Sequence, residues 1–164
     1  MGKEIDKRKA SINSLAKQGI TLTDYHAIIH PSQPNYLASA GGRTHGLLLD
    51  TFLRLGKSEK TIVDLLEKKG VSWGEYQEGL PYSGFQGDYK NQENGKNNYV
   101  RKHNPLMTYD SVTSDVDRLA KIKNFTMFDT DLKNNQLPQW MFITPNMSTS
   151  FFLYFLSRFA NQHL

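Results

Sequence analysis

Gln139-Trp140-Met141-Phe142-Ile143-Thr144, introduced by Pro138, is an almost unbroken apolar run of strand length. Such a run, bounded by a turn residue, predicts a strand buried on both faces, as in a parallel sheet covered by helices. Working outward, Val71 to Gln77 alternates around Trp73 and Tyr76 and reads as a second strand. Thr61 to Glu67 carries Ile62, Val63, Leu65 and Leu66 on one helical face, with Ser58 as N-cap and Gly70 as stop. Ser114 is placed to cap a helix containing Val116, Leu119 and Ile122, and another helical piece runs from about Met127 to Leu132. Helices alternating with strands predict an α/β fold with a largely parallel sheet.

Toward the N-terminus, Ile20, Leu22 and Asp24 alternate with polar neighbours before the apolar Ala27 to Ile29, which predicts a strand ending at His30-Pro31. Pro34 opens a short helix through Tyr36, Leu37 and Ala38, with Ser32 near its N-cap and Gly41-Gly42 stopping it. Residues 4–18 place Ile5, Ile12, Leu15 and Ala16 on one side at helical spacing, followed by Gly19. Residues 86–98 (QGDYKNQENGKNN) read as a long polar loop, of the kind that is usually functional or mobile.

Composition bounds the answer further. The 164 residues include nine Phe, eight Tyr and two Trp, enough apolar surface for one core and too much for a disordered chain. Twenty basic residues against sixteen acidic ones give +4. Residues 1–20 hold Lys3, Lys7, Arg8, Lys9 and Lys17 against Glu4 and Asp6, so the other 144 residues are nearly neutral and a nucleic-acid-binding field is not supported. Zero cysteines exclude disulfides, thiolate zinc sites and cysteine nucleophiles. The most apolar run, Phe151 to Leu156, is far shorter than the ~20 residues of a membrane span, and no apolar signal-peptide core follows Met1.

Three polar clusters are candidates for chemistry. His30-Pro31-Ser32-Gln33-Pro34-Asn35-Tyr36 follows a predicted strand, where open α/β sheets place their sites. Its two prolines stiffen the loop, either to aim His30 and Asn35 at a ligand or simply to connect two elements. Gly41-Gly42-Arg43-Thr44-His45-Gly46 joins flexible backbone to a hydroxyl, a guanidinium and an imidazole, as an oxyanion cradle or as a glycine-rich helix exit. Tyr99-Val100-Arg101-Lys102-His103-Asn104-Pro105 offers three cations, to bind phosphate or metal or to form a solvated basic turn. Glu75 and Glu78 do not form a supported acid–base pair, and the histidines have no zinc-site spacing.

These segments, HPSQPNY at 30–36, LASAGG at 37–42, VSWGEYQE at 71–78, LPYSGF at 80–85, YVRKHNP at 99–105, YDSVTS at 109–114 and WMFITPNM at 140–147, together strongly resemble the fungal branch of the phosphoesterase family. That family includes secreted acid phosphatases and bacterial phospholipases C. The resemblance implies an alkaline-phosphatase-like three-layer α/β/α sandwich that hydrolyses phosphoric esters with a divalent metal ion. It also implies a Ser or Thr nucleophile: Thr44 falls where that hydroxyl is expected, His30 matches a phosphate-binding histidine, and Asn35, His103 and Asn104 match motif positions. Arg43 is placed to add charge on the phosphoryl group, and the substrate implied is a phosphorylated small molecule or a phospholipid.

The departures set a competing expectation. The family opens with an apolar strand ending in a Glu-Asn pair that helps to hold the metal, and continues after the Thr-Pro-Asn-Met segment to an Asp-His-Asp motif. This sequence begins with the 4–18 helix and reads Ser148-Thr149-Ser150-Phe151-Phe152 after Met147. Residues 1–147 are therefore expected to be a partial phosphoesterase domain, with the sandwich incomplete, and 148–164 a divergent tail. The metal-binding residues of this chain are left unassigned. The alternative function is a truncated, catalytically inactive member that binds phosphate or a partner at most.

Overall fold

The computed structural model describes residues 13–14, 16–20 and 22–147. The helix expected over 4–18, apart from its last residues, and the tail at 148–164 lie outside them. In chain order the elements are α1 (Ser32–Gly41), α2 (Ile62–Lys68), β1 (Trp73–Gln77), β2 (Tyr89–Lys90), β3 (Asn97–Tyr99), a 3-10 turn (Arg101–His103), α3 (Asp110–Thr113), α4 (Val116–Leu119), β4 (Ile122–Asn124), α5 (Phe125–Lys133) and β5 (Trp140–Thr144).

β1 pairs in parallel with β4 on one side and β5 on the other, with Glu75 opposite both Ile122 and Phe142. The architecture is thus mixed α/β with a parallel sheet. The positions within that sheet differ from expectation. All five residues of β1 are buried, whereas β5 is half-buried and Ile143 is 44% exposed, so β5 is an edge strand among the described residues. The strand buried throughout is β1, which is paired on both sides, and not the more apolar β5, which the run at 139–144 led us to expect. Strand β1 carries polar side chains into that position. The Tyr76 hydroxyl donates to Asp131 Oδ2 at 2.6 Å, and Lys123 Nζ reaches the same oxygen at 2.7 Å.

Helix α2 starts at a capping box rather than at Ser58. Thr61 Oγ1 accepts from Val63 N at 3.2 Å while the Asp64 carboxylate accepts from Thr61 N at 2.9 Å. The expected helix from Ser114 to Ile122 is divided. Asp115 caps the four-residue α4, and Ile122 is fully buried as the first residue of β4. Arg118 closes α4 through Asp64, Glu67 and the Ser111 carbonyl, and the chain then extends along the open edge of β1. Helix α5 is capped by Asn124, whose Oδ1 accepts from Met127 N at 3.1 Å.

Two other expectations are corrected. The described residues between 20 and 29 form no strand: Ile20, Leu22, Tyr25 and Ile28 are exposed, and the backbone there is held by a side chain of α1 instead of by a sheet edge. The polar 86–98 segment is not a plain loop, because β2 and β3 make an antiparallel hairpin with Tyr89 opposite Tyr99. Its turn is organised by Asn91 Oδ1, which accepts from Glu93 N and Asn94 N. The core gathers around β1, with Leu37, Val63, Leu106, Met107, Tyr109, Val112 and Ile122 all at or below 1% exposure.

Candidate active site at the start of helix α1

The first turn of α1 is built by its sequence. Pro31 precedes the helix, Ser32 is its first residue, and Pro34 fits a position whose N–H would otherwise lack a helical partner. Asn35 ties down the incoming segment: its Oδ1 accepts from Ile28 N at 2.9 Å and Ile29 N at 3.2 Å, and its Nδ2 donates to the Ile29 and Pro31 carbonyls. The buried Gln33 fixes the next strand of chain, its Oε1 accepting from Thr51 N at 2.7 Å while its own N–H donates to Asp50 Oδ1 at 3.1 Å. Lys102 Nζ pairs with the other oxygen of Asp50 at 2.5 Å.

Against this turn lies His103. Its Nε2 is 2.9 Å from Ser32 Oγ, and its ring stacks on Tyr36 with centroids 5.0 Å apart and planes 24° apart. The 3-10 turn that carries it is anchored by the buried Arg101, which donates from Nη1 to Leu53 O and from Nη2 to Met107 O, while Asp88 Oδ1 accepts from its backbone N–H. Asn104 closes the turn: its Oδ1 accepts from Leu106 N and Met107 N, and its Nδ2 reaches the Tyr99 hydroxyl. Burial holds the His103 pKa below the usual imidazole range, and Lys102 lowers it further, against the opposing carboxylates of Asp50 and Asp88. The ring is therefore neutral near pH 7. With its proton on Nδ1, Nε2 accepts from the serine hydroxyl, which is the relation of a nucleophile to its base.

The residues expected from sequence are thus divided between two places. His103 belongs to this cluster, while Asn35 and the fully buried Asn104 hold its backbone in shape. His30 is exposed just ahead of it. Arg43 and Thr44 leave from the opposite end of α1, a ten-residue helix about 15 Å long. There Arg43 pairs with Glu59 at 2.5 Å, and Thr44 is half-buried with its carbonyl accepting from Leu47 N. By sequence Ser32 is only a residue near the N-cap of α1, yet its hydroxyl makes the contact with histidine. A serine opening a helix between two prolines was the available signal; its partner lies 71 positions away, where no spacing rule reaches.

The far end of α1 depends on a missing side chain. Gly42 ends the helix at φ 76°, and the Tyr109 hydroxyl donates to Leu37 O at 3.0 Å while His45 Nε2 lies 3.3 Å from it. A Cβ on Gly41 would come within 2.1 Å of that hydroxyl and 2.9 Å of the ring. Gly41→Ala is therefore expected to destabilise the fold by roughly 2–3 kcal/mol through overpacking and a strained buried hydrogen bond. Urea unfolding checks this, and the added cost of Gly41→Ala should be smaller in a Tyr109→Phe background, where the hydroxyl is gone.

Among the described residues no three or more His, Asp or Glu side chains converge in a way that could hold a metal ion. They do not by themselves fit the divalent metal that the resemblance implies. No described helix is long and apolar enough to cross a membrane.

Comparison with known proteins agrees with the resemblance. A family model described as the phosphoesterase family matches residues 3–155. The chain is 58% identical over 135 residues to a protein named acid phosphatase from Aspergillus fumigatus, covering 82% of this chain and 30% of that protein. It is 56% identical over 138 residues to a phosphate-repressible acid phosphatase from Penicillium chrysogenum, covering 84% and 33%. A phosphatidylinositol-3-phosphatase from Mycobacterium tuberculosis is 29% identical over 141 residues, covering 86% and 44%. The chain thus spans about a third of the length of the fungal relatives it matches, and over that span it belongs to the phosphoesterase family.

Proposed function

We propose that this chain carries the phosphoryl-accepting part of a phosphoric monoester hydrolase. Its sheet would form part of an alkaline-phosphatase-like sandwich. The observation that supports the reading is the 2.9 Å contact of Ser32 Oγ with a neutral His103 at the positive end of α1. In this reaction Ser32 Oγ attacks phosphorus and its proton passes to His103 Nε2. The bond from phosphorus to the ester oxygen breaks, and the imidazolium returns the proton to the departing alkoxide. Water then attacks the phosphoserine with His103 again taking a proton, which releases inorganic phosphate and restores the Ser32 hydroxyl. His30 stands exposed just ahead of the pair, Arg43 is held by Glu59 at the far end of α1 and takes no part in this step, and Asn35 and Asn104 act as positioning residues. Thr44 is the competing nucleophile.

The low pKa of His103 fits work in mildly acidic solution, as the names of the fungal relatives suggest. Because the neutral ring is the active form, turnover falls as pH drops through that pKa. Replacing Lys102 by methionine removes a charge that lowers it, so the acid limb of the pH–rate profile should move to higher pH.

The deciding experiment incubates the purified chain with a chromogenic phosphate monoester, from acid to neutral pH, with and without added divalent metal. The reaction is quenched in acid and the phosphorylated residue is mapped by mass spectrometry. Label on Ser32 supports the proposal, and label on Thr44 transfers the role there. Absence of both label and turnover under every condition overturns it in favour of an inactive phosphate- or partner-binding member.

A further inference from the structure

Beside the Ser32–His103 pair opens a cleft of about 190 Å³ lined by Asp50, Thr51, Phe52, Asp88, Arg101 and Lys102. Two of its walls touch the pair's own supports. Asp50 accepts from the N–H that follows Ser32, and Lys102 immediately precedes His103. Phe52 is 72% exposed, which its surroundings alone do not explain, since it is a large apolar ring at a polar rim. One of its faces is nevertheless occupied: the Arg101 guanidinium lies 4.2 Å from the ring centroid. Arg101 is only 4% exposed and fixed by two carbonyls, one of them Leu53 O next to Phe52, and its Nε has no partner. On the other flank, Thr51 N is held by Gln33 Oε1. The phenyl ring is thus set on a rigid cationic base with its opposite face open, an arrangement already organised to receive a second flat ring.

We infer that Phe52 is a specificity residue whose free face stacks the leaving group of the substrate, which makes phosphate monoesters of aromatic or heteroaromatic alcohols the favoured class over those of aliphatic polyols. This rests on the Ser32–His103 reading for the position of the phosphoryl group. Ring stacking enters here as a preference between esters sharing one phosphate.

The test measures binding of phenyl phosphate, glycerol phosphate and inorganic phosphate by calorimetry to the wild-type chain, Phe52→Ala and Phe52→Tyr. Circular dichroism confirms that both variants fold, as the exposure of the residue leads us to expect. Wild type should bind phenyl phosphate roughly three- to tenfold tighter than glycerol phosphate. The preference should fall to about one in Phe52→Ala and persist in Phe52→Tyr, which keeps the ring. Equal affinity for the two esters in wild type, or a preference that survives in Phe52→Ala, overturns the inference; binding of inorganic phosphate then shows that the phosphate-site reading still stands. If phenyl phosphate binds in a Phe52-dependent way while inorganic phosphate and glycerol phosphate do not bind at all, the ring platform is upheld and the phosphate-site reading fails.

Discussion

Ser32→Ala is expected to abolish covalent phosphoryl capture and to lower any turnover the chain supports by about a thousandfold or more. The alanine variant has no oxygen to form the bond to phosphorus, and the imidazole has no proton to take. Little stability should be lost, because Ser32 is half-buried and its backbone remains part of α1. Activity loss with an unchanged unfolding midpoint is therefore the signature. His103→Gln should resemble it in turnover. It also removes the stack on Tyr36, so it carries a structural cost that Ser32→Ala does not. The paired measurement with Thr44→Ala separates the two hydroxyls, which sit at opposite ends of the same helix. If Thr44→Ala loses the label and Ser32→Ala keeps it, the assignment to Ser32 is wrong.

The second large effect concerns stability and pH. Glu75 points into the core from the central strand β1 with no exposed surface, and neither carboxyl oxygen has a hydrogen bond of normal geometry. Desolvation raises its pKa from 4.5 to about 8, while Gln77, the Leu106 N–H and Asn104 nearby only partly oppose the rise. In the fold the group is protonated at pH 6, whereas in the unfolded chain it is ionised. The native state thus holds more protons between about 4.5 and about 8, and stability declines as pH rises through that window. The decline amounts to something of the order of 4 kcal/mol.

Glu75→Gln removes the titration while keeping the shape. The variant should match wild type near pH 4.5 and exceed it progressively toward pH 8. Other carboxylates tilt the curve the opposite way in acid. Asp64, Glu67 and Asp131 have pKa values lowered by their partners, so their stabilisation is lost as pH falls. The difference between wild type and Glu75→Gln cancels those contributions. Urea unfolding of both proteins at several pH values checks it, and parallel curves would rule the account out.

What could be read from sequence was local. The alternation in Val71 to Gln77, the periodicity of Thr61 to Glu67, the Pro34 and Gly42 bounds of α1 and the apolar run before Thr144 each led to an element that is present, because each signal lies within one turn or one strand. The order and spacing of seven short motifs likewise led to the phosphoesterase family, since such a series is far more specific than any member of it. Three-residue β4 was invisible for the opposite reason: Ile122 to Asn124 carries no pattern of its own and extends only because β1 offers it an edge.

The same holds for rank within the sheet and for the site. Gly74, Glu75 and Gln77 look like surface residues, yet they are buried on the doubly paired β1, while the more apolar β5 remains an edge among the described residues. Thr44 and Arg43 stand close in sequence to the His30–Tyr36 motif, yet an intact helix carries them away from His103. Ser32 and His103 are joined by the packing of the 3-10 turn onto α1, fixed by Arg101, Gln33 and Asp50. The sequence by itself determined the types of α1, α2, α5, β1 and β5 and the family, because those follow from short-range sterics and motif order. Tertiary structure alone decided which strand is central, which carboxyl is held protonated and which hydroxyl meets a base, because each of these depends on desolvation and contact between segments far apart in the chain.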